Sequence, residues 1–396
     1  MKLLACNVGS TSLKYRLYEF PQEQELLVGK IEKIGSEQAI VSYSYDNTKE
    51  RRIQPIPDMA AGVALAISVI TDSGKVSCMD EVEGIAFKTV HGGPVTESCI
   101  ADDRIFDILE EYRAVAPLHN RVYGEVMRAF REMLPSCPLV AVFETAFHKD
   151  APEYIKRYSA PYSWMEQYGI QRYGFHGASH RYITNRMTEL IGNGDASNLN
   201  IISCHLGGSS SICVVKGGIS QGTTHGFSPQ SGIASGTRIG DFDAYAMLYM
   251  LKKGLTPAQL DDMLFNHSGL KGISGVSEDI RELEEAAASG NERAALALDM
   301  YCYDVKRYIG QSIAVLGRVD AIVMTGGIGE NSVNVRSKVL SDMQQLGIVL
   351  DSERNSAGLP EAVITADGSP IPVYVVPTNE EIMVVREAYR VIQQNK

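Results

Sequence analysis

The sequence predicts an α/β fold made of two related halves, and three observations support this prediction. Segments with the pattern of strands alternate with segments of helical composition along the 396 residues, which is typical of α/β layers. A strand–turn–strand pattern near the N-terminus recurs half a chain length later. Short turns rich in glycine and serine follow several of the apolar segments, at the ends of the predicted strands.

The recurring pattern is a β-hairpin whose turn consists of small residues. Its first copy covers residues 3–20 and its second covers residues 200–215. Aligning Cys6 with Cys204 superposes the two turns at an offset of 198 residues (204 − 6), which is half of the chain. A repeat at this interval indicates a duplicated domain. Two unrelated turns of similar composition are the alternative interpretation.

The other predicted elements alternate between and after these hairpins. Short apolar runs predict strands, and longer segments of helical composition predict helices. The predicted strands are residues 84–90, 139–143, 320–324 and 373–376. The predicted helices are residues 58–70, 278–288, 291–315 and 380–393. No low-complexity linker separates the halves, and a break in the pattern at residues 149–152 predicts the domain boundary near residue 150.

Composition and charge limit the classes of partner. The formal net charge is −11 and the pI about 5.3, which argues against nucleic acid or an anionic membrane as a partner. No apolar run of the sequence is long enough to span a bilayer. The seven cysteines are scattered and form no CxxC pair. We therefore expect reduced thiols, no zinc site and a cytoplasmic location.

Four turns have the composition of phosphate-binding loops. Backbone N–H groups approach phosphate closely where glycine lacks a Cβ, and serine or threonine adds hydroxyl donors. These turns are residues 9–12, 207–211, 236–238 and 326–331, and together they predict a nucleotide site. The sequence contains neither GxxxxGK(S/T) nor a helix-opening GxGxxG. The first absence excludes a P-loop, and the second leaves a Rossmann site unsupported.

Histidines and acidic residues point to further chemistry. His176 and His180 have a spacing that could bind a metal on a helix, but no third ligand is evident in the sequence. A hydrogen bond from His176 to phosphate is the favoured interpretation, and His148 and His180 are interpreted as structural. Glu144 and Glu380 each follow an apolar strand, where a carboxylate can contribute to a Mg²⁺ site completed by phosphate oxygens and water.

Taken together, these motifs resemble those of the acetate kinase family, in the family's order and over nearly the whole chain. The matching segments are residues 7–14, 90–93, 116–120, 143–148, 173–180, 204–207, 236–238, 325–331 and 377–381. The resemblance implies two duplicated actin-like ATPase domains around a central cleft, and a homodimer. It implies a first domain of residues 1–149 with the returning helix 382–396, and a second domain of residues 150–381.

The resemblance also implies roles for particular residues. Those implied in catalysis are Arg238, which would stabilise the transferring phosphoryl group, His176, which would hydrogen-bond to it, and Glu144, Lys88 and Asn7. Those implied at the nucleotide are Ser10, Ser12, Lys14, His205, Gly207, Gly208, Asp279, Ile280, Arg281, Gly327, Ile328, Gly329 and Asn331. Those implied at the substrate are Lys88, Val90, Leu118, His119, Phe175 and Pro229. Asn7 and Glu380 are implied to organise Mg²⁺ or Mn²⁺.

The reaction implied is reversible phosphoryl transfer from ATP to the carboxylate of a small organic acid, acetate or a close relative, giving ADP and an acyl phosphate. The residues that depart from those usual in the family are Lys88, Glu144, Gly208, Gly222, His225 and Ile239. These departures leave open the carboxylate, the phosphoryl donor (ATP, another nucleotide or pyrophosphate) and the direction in the cell. The alternatives are another phosphoryl transfer in the same fold and a nucleotide-binding protein without catalysis.

Overall fold

The computed structural model describes residues 1–114 and 117–396, with the backbone alone for residues 114 and 117–119. Within these residues the chain divides into two compact units. The first unit combines Met1–Lys149 with Asn379–Lys396, and the second is Asp150–Thr378. The second boundary therefore lies between Thr378 and Asn379, rather than after residue 381 as predicted from the sequence.

The strands are numbered in chain order. They are β1 (Lys2–Gly9), β2 (Ser12–Glu19), β3 (Gln24–Glu32), β4 (Ser36–Tyr45), β5 (Thr48–Ile56), β6 (Val82–Thr89), β7 (Cys99–Ile100), β8 (Leu139–Phe143), β9 (Asn200–His205), β10 (Ser211–Lys216), β11 (Ile219–Thr223), β12 (Ala321–Thr325), β13 (Ala362–Val363) and β14 (Val373–Val375).

The α-helices follow the same numbering. They are α1 (Met59–Asp72), α2 (Asp103–Glu111), α3 (Pro117–Met133), α4 (Glu153–Lys156), α5 (Tyr162–Tyr168), α6 (Gly177–Ile191), α7 (Ala244–Lys252), α8 (Pro257–Asn266), α9 (Gly269–Ser274), α10 (Ile280–Ala288), α11 (Glu292–Leu316), α12 (Gly326–Asn331), α13 (Val333–Leu340), α14 (Ser352–Ala357) and α15 (Glu380–Gln394). Short 3₁₀ turns cover Met79–Glu81, Tyr112–Ala114, Glu144–His148 and Gln344–Leu346.

The strands of the first unit form one mixed sheet in the order β5-β4-β3-β2-β1-β6-β8-β7. Strand β1 pairs antiparallel with β2 and parallel with β6, and β6 pairs parallel with β8. The carboxyl ends of β1, β6 and β8 therefore meet at one edge, where α/β sheets commonly bind ligands. Helix α15 packs closely on this sheet. A Cβ added at Gly84 of β6 would lie only 2.2 Å from Cδ1 of Ile392.

The strands of the second unit form a mixed sheet in the order β11-β10-β9-β12-β14-β13. Strand β9 pairs antiparallel with β10 and parallel with β12, and β12 pairs parallel with β14. The series β11-β10-β9-β12-β14 repeats the order and the strand directions of β3-β2-β1-β6-β8 in the first unit. A duplicated domain would produce this shared topology. The predicted α/β class is confirmed.

Each unit has an apolar core of its own. In the first, Phe87 of β6 packs edge-to-face on Phe130 of α3, with ring centroids 5.7 Å apart. In the second, helix α11 buries Tyr301 and Ile309 against the sheet. The loops at the carboxyl ends of the strands therefore rest on packed elements. Among the described helices, none has the length and apolar character needed to cross a bilayer.

Candidate functional site

In the first unit, Lys88 lies between two carboxylates at the carboxyl edge of the sheet. Lys88 is the penultimate residue of β6, Glu144 directly follows β8, and Glu380 begins α15. Lys88 Nζ lies 3.5 Å from Glu144 Oε1 and donates a hydrogen bond to Glu380 Oε2. Burial would lower the pKa of Lys88, but the two carboxylates outweigh burial and hold that pKa above its ordinary value.

Both carboxylates that contact Lys88 are largely enclosed, since the Glu144 side chain is 5% exposed and the Glu380 side chain 16%. Carboxylate oxygens are ligands that a hard divalent cation such as Mg²⁺ prefers. The three predicted residues Lys88, Glu144 and Glu380 are therefore brought together by the fold.

Asn7 is held in place by a tyrosine that the sequence motifs do not reveal. The hydroxyl of Tyr123, on helix α3, accepts a hydrogen bond from the backbone N–H of Val8 at 3.1 Å. The same hydroxyl donates to Asn7 Oδ1 at 3.3 Å. Burial raises the pKa of Tyr123, so its hydroxyl keeps its proton. Tyr123 thus orients the Asn7 amide, although 116 residues separate the two in the sequence.

The hairpin turn after β1 places the predicted Ser10, Ser12 and Lys14. Ser10 lies exposed in the turn, and a Cβ added at Gly9 would lie 2.7 Å from Ser12 Oγ. Lys14 is paired with Asn7 across the two strands and shares with it a cavity of about 240 Å³. The hairpin therefore places the Lys14 side chain beside that of Asn7 and the Ser12 hydroxyl beside Gly9.

The segment after β6 is packed tightly around His91. His91 Nδ1 accepts a hydrogen bond from the backbone N–H of Gly93 at 2.9 Å, and Asn120 Nδ2 donates to the His91 carbonyl at 3.0 Å. These contacts fix the chain beside the half-buried Val90. The side chains of Leu118 and His119, which were also predicted at the substrate, lie outside the described residues.

In the second unit, His176 immediately precedes helix α6 with a left-handed backbone (φ 55°). A positive φ is uncommon for residues other than glycine and marks a constrained position. His176 Nδ1 lies 2.8 Å from Ser211 Oγ on β10. No hydrogen bond joins Nε2 to any described residue. The imidazole is therefore anchored on one side only.

Three further histidines surround His176. Its ring centroid lies 4.1 Å from that of His205, 5.0 Å from that of His225 and 6.4 Å from that of His180. Burial, followed by these three imidazoles and by Arg238, lowers the pKa of His176 well below its ordinary value. His176 is therefore neutral at physiological pH. Within the described residues, no three histidine, cysteine or acidic side chains are grouped so that they could hold a metal ion.

Arg238 follows a glycine turn that fixes its backbone. The N–H groups of Ser235 and Arg238 each bond to the carbonyl of the other residue, at 3.1 and 2.6 Å. Gly236 is needed in this turn because its φ is +47° and an added Cβ would lie 2.6 Å from the Gly208 carbonyl oxygen. The guanidinium donates to Ser209 Oγ and to the Pro229 carbonyl.

The charge of Arg238 has no acidic partner in the described part of the chain. Burial lowers the pKa of Arg238 to about 10, which still leaves it protonated at neutral pH. An enclosed guanidinium without a carboxylate attracts an anion. Phe175, predicted in the apolar pocket, is buried and lies edge-on to His225 at 5.9 Å. Arg238 thus contacts the Pro229 carbonyl, and Phe175 packs beside His225 in the group of histidines around His176.

Two glycine loops follow β9 and β12 and contact each other. The backbone N–H groups of Ile328 and Gly329 donate to the Leu206 carbonyl at 2.8 and 3.2 Å. Gly207 N–H donates to Ser210 Oγ at 3.2 Å, and a side chain at Gly208 would meet nothing within 4 Å. Asn331 Nδ2 is bound to the Gly327 carbonyl at 2.9 Å. The predicted nucleotide loops are therefore adjacent.

Arg336 is a second residue that sequence reasoning missed. It is 1% exposed, and its guanidinium donates to the carbonyls of Gly329 and Glu330 at 2.9 and 2.8 Å. Asn355 accepts two further hydrogen bonds from it, at 2.7 and 2.9 Å. Arg336 therefore holds the end of the glycine loop through its carbonyl oxygens. No local motif around position 336 signals this contact.

The predicted nucleotide residues Asp279, Ile280 and Arg281 lie at the start of α10. Asp279 is the N-terminal cap and accepts from the backbone N–H of Arg281 at 2.9 Å. The Arg281 side chain, 85% exposed, forms an ion pair with the same carboxylate. Ile280 is buried. In the structure, Asp279 therefore has the role of a helix cap.

The chain is similar to known proteins along its full length. The family model described as the acetokinase family matches residues 2–386. The acetate kinase of Anoxybacillus flavithermus is 43% identical over 391 residues, which are 98% of each chain. The acetate kinase of Bacillus subtilis is 41% identical over 391 residues, 98% of this chain and 99% of that one.

Two solved structures show the same fold. The crystal structure of Porphyromonas gingivalis acetate kinase superposes with a TM-score of 0.88 at 37% identity and covers 99% of each chain. The crystal structure of a propionate kinase from Francisella tularensis superposes with a TM-score of 0.90 at 31% identity and covers 98% of each chain.

Proposed function

This chain belongs to the acetokinase family and is a carboxylate phosphotransferase, and we propose that its substrate is acetate or a close relative. The reaction is ATP + carboxylate ⇌ ADP + acyl phosphate. The relatives whose names mention acetate and propionate match nearly the full chain. This similarity favours a kinase over a nucleotide-binding protein that lacks catalysis.

The structural observation that carries the proposal is the enclosed guanidinium of Arg238. It lies in a loop of glycine and serine and has no described carboxylate partner. A carboxylate oxygen attacks the γ-phosphorus in line, a new P–O bond forms, and the bond from the γ-phosphorus to the β–γ bridging oxygen breaks. The electron pair leaves with ADP. We assign Arg238 to the stabilisation of the charge on the transferring phosphoryl group.

His176 is assigned to a hydrogen bond with the same phosphoryl group. A neutral imidazole carries one N–H, and the Nε2 side of His176 is not bonded to any described residue. The reaction needs no enzyme nucleophile and no proton transfer, because the attacking carboxylate is already ionised at neutral pH. Positioning and charge stabilisation are therefore the main contributions of the protein.

We assign Asn7, Glu380 and Glu144 to a magnesium site of the first unit. The amide oxygen of Asn7 and the carboxylates have the oxygen donors that Mg²⁺ prefers. Both carboxylates contact Lys88, which places their oxygens in one part of the first unit. When bound, Mg²⁺ would neutralise charge on the nucleotide phosphates. Tyr123 would keep the Asn7 amide in the required orientation through its hydroxyl group.

The apolar residues assigned to the substrate limit the size of the carboxylic acid that can bind. Phe175 is fully enclosed, and the Pro229 carbonyl binds Arg238. We assign Phe175, Pro229 and Val90 to the alkyl end of the substrate. Small aliphatic acids fit such residues better than acids with several hydroxyl groups, which would need polar partners. Propionate and butyrate are therefore the nearest competitors of acetate.

The remaining proposals concern the protein as a whole. We propose that the two units are the duplicated actin-like domains, that the protein is a homodimer and that it works in the cytoplasm. The shared strand order of the two sheets supports the first proposal. The scattered cysteines agree with the reducing conditions of the cytoplasm. The net charge of −11 favours solubility in water.

The test is an acyl phosphate assay with a panel of acids. Acetate, propionate, butyrate and a hydroxy acid are each incubated with ATP and Mg²⁺, and acyl phosphate is trapped as the hydroxamate. We expect product with acetate or propionate that requires both ATP and Mg²⁺. The absence of product from every acid on the panel would overturn the proposed function.

A further inference from the structure

Three buried side chains form a chain of hydrogen bonds that ends at His176. Ser203 Oγ lies 2.9 Å from His180 Nδ1, and His180 Nε2 lies 2.9 Å from Ser211 Oγ. Ser211 Oγ in turn lies 2.8 Å from His176 Nδ1. Ser203, His180 and Ser211 are each 0% exposed. Ordered contacts at these distances transmit the position of a proton from one end to the other.

The protons of this chain can be arranged in two continuous directions. In one, Ser203 donates to His180 Nδ1, His180 Nε2–H donates to Ser211, and Ser211 donates to His176 Nδ1. His176 then carries its own proton on Nε2. In the reverse direction, His176 Nδ1–H donates to Ser211, and the last donation runs from His180 Nδ1–H to Ser203. His176 Nε2 is then only an acceptor.

Ser203 distinguishes the two directions. Within the described residues, His180 is the sole side-chain partner of the Ser203 hydroxyl. In the reverse direction, the Ser203 proton would be buried without an acceptor. A buried donor left unbonded is costly, because it loses its hydrogen bond to water and gains none in the protein. The forward direction uses the protons of Ser203, His180 and Ser211, so it is the more stable arrangement.

We propose that Ser203, His180 and Ser211 form a relay that fixes the tautomer of His176, so that its Nε2–H is presented to an oxygen of the transferring phosphoryl group. This inference rests on the role of His176 in the proposed function. It makes His180 and the two serines positioning residues, since they act through His176 and do not contact the substrate. The relay matters because a neutral imidazole has only one N–H to offer. The pKa of His176, lowered chiefly by burial, keeps the ring neutral.

The direct test is the tautomer of His176, read from ¹⁵N NMR of histidine-labelled protein near pH 7.5. The His176 signals are identified by their loss in His176→Gln. In the native sequence, we expect a protonated Nε2 and an unprotonated Nδ1 for both His176 and His180. A His176 proton on Nδ1, or protons on both nitrogens, would overturn the proposal.

Ser211→Ala tests the relay at the link between the two histidines. Without this hydroxyl, no side chain of the relay donates to His176 Nδ1, so the relay no longer selects a tautomer and both become populated. We expect the Nδ1 and Nε2 shifts of His176 to move towards each other, and inorganic phosphate to restore them by selecting Nε2–H. The turnover number should fall by only about two-fold, since roughly half of the molecules keep the active tautomer. Unchanged shifts of His176 in this variant would contradict the relay.

Ser312→Ala is the matched control. Ser312 is a buried serine of the same unit whose hydroxyl donates to the Tyr308 carbonyl at 2.7 Å, away from the relay. Its removal should leave the shifts of His176 and His180 unchanged. The NMR measurement does not require turnover. If the expected tautomer is found but no acyl phosphate forms, the proposed function fails and the relay stands. If the enzyme is active but His176 has the opposite tautomer, the relay fails and the proposed function stands.

Discussion

Lys88 donates a hydrogen bond to Glu380 although 292 residues separate them in the sequence. Lys88 is the penultimate residue of β6, and Glu380 begins the C-terminal helix α15. The bond attaches the start of α15 to the edge at which β6 and β8 end. It also ties a residue assigned to Mg²⁺ to a cation of the protein. Removing either partner should therefore affect both stability and metal affinity.

Replacing Lys88 tests this relationship. Lys88→Met removes the ammonium that contacts Glu144 and Glu380, and breaking a buried pair in this way costs about 3–5 kcal/mol. We expect the free energy of unfolding, measured by urea denaturation, to fall by an amount in that range. Lys396→Met removes an exposed ion pair with Glu83 in the same unit and should cost less than about 1 kcal/mol. An equal decrease in the free energy of unfolding in the two variants would show that the contacts of Lys88 contribute no more to stability than an exposed ion pair.

Replacing Arg238 tests the assigned charge stabilisation. Arg238→Ala should lower kcat on the order of 10³-fold, as the loss of an arginine that stabilises a transferring phosphoryl group does. Arg238→Lys keeps a charge but loses the planar fork and should recover only part of the rate. Arg390→Ala, at an exposed ion pair on α15, is the control and should retain activity. A native rate in Arg238→Ala would remove this residue from the mechanism.

Replacing His225 changes the protonation of His176. The pKa of His176 is lowered first by burial and then by His205, His225, His180 and Arg238. His225→Met removes one of these imidazoles, so the pKa of His176 should rise towards its ordinary value but stay below it, because burial remains. NMR titration of His176 measures this shift. A lower or unchanged pKa would show that His225 does not interact electrostatically with His176.

The lowered pKa of His176 also determines how acidification changes the stability of the protein. The unfolded chain binds a proton at His176 near the ordinary pKa of 6.5, whereas the folded protein does so only at lower pH. Acidification from neutral pH through 6.5 therefore stabilises the unfolded state and lowers the free energy of unfolding. His176→Gln should show a smaller decrease than the native sequence over this window. An equal decrease in both proteins would exclude His176 as a source.

The cysteines provide a test of the folded core. Cys78 is exposed, whereas burial raises the pKa of Cys99 to about 11 and of Cys137 to about 12. A thiol with a raised pKa holds little thiolate at neutral pH and reacts slowly. Native protein should therefore label rapidly at one thiol with a disulfide reagent, and Cys78→Ser should abolish the rapid phase. Two or more rapid thiols would contradict the described packing.

The sequence predicts the central strands well because they are short, apolar and bounded by glycine turns. The strand predicted at 139–143 matches β8, and the strand predicted at 84–90 overlaps β6. The outer strands β3, β4 and β5 were not predicted. Strand β5 is exposed over much of its length, and a strand at the edge of a sheet lacks the continuous apolar run that marks a buried one.

Some of the site residues could be identified from the sequence, and others could not. His176 and Arg238 lie in recognisable local motifs, and the fold gives both of them defined contacts. Tyr123, Ser203 and Arg336 were not identified, because each acts by contacting a residue or carbonyl that the chain brings near only on folding. Such contacts leave no pattern of spacing in the sequence. Residues that bind the ligand can therefore be recognised in the sequence, whereas the polar groups that position them become visible only in the structure.

The most direct measurement is ³¹P NMR of ATP, Mg²⁺ and acetate with the protein, followed over time. We expect the γ-phosphoryl signal of ATP to be replaced by an acyl phosphate signal and by equal amounts of ADP, and we expect this change to depend on acetate. Arg238→Ala should show almost none of it over the same period. Unchanged ATP, or ADP with inorganic phosphate at a rate independent of acetate, would contradict transfer to a carboxylate.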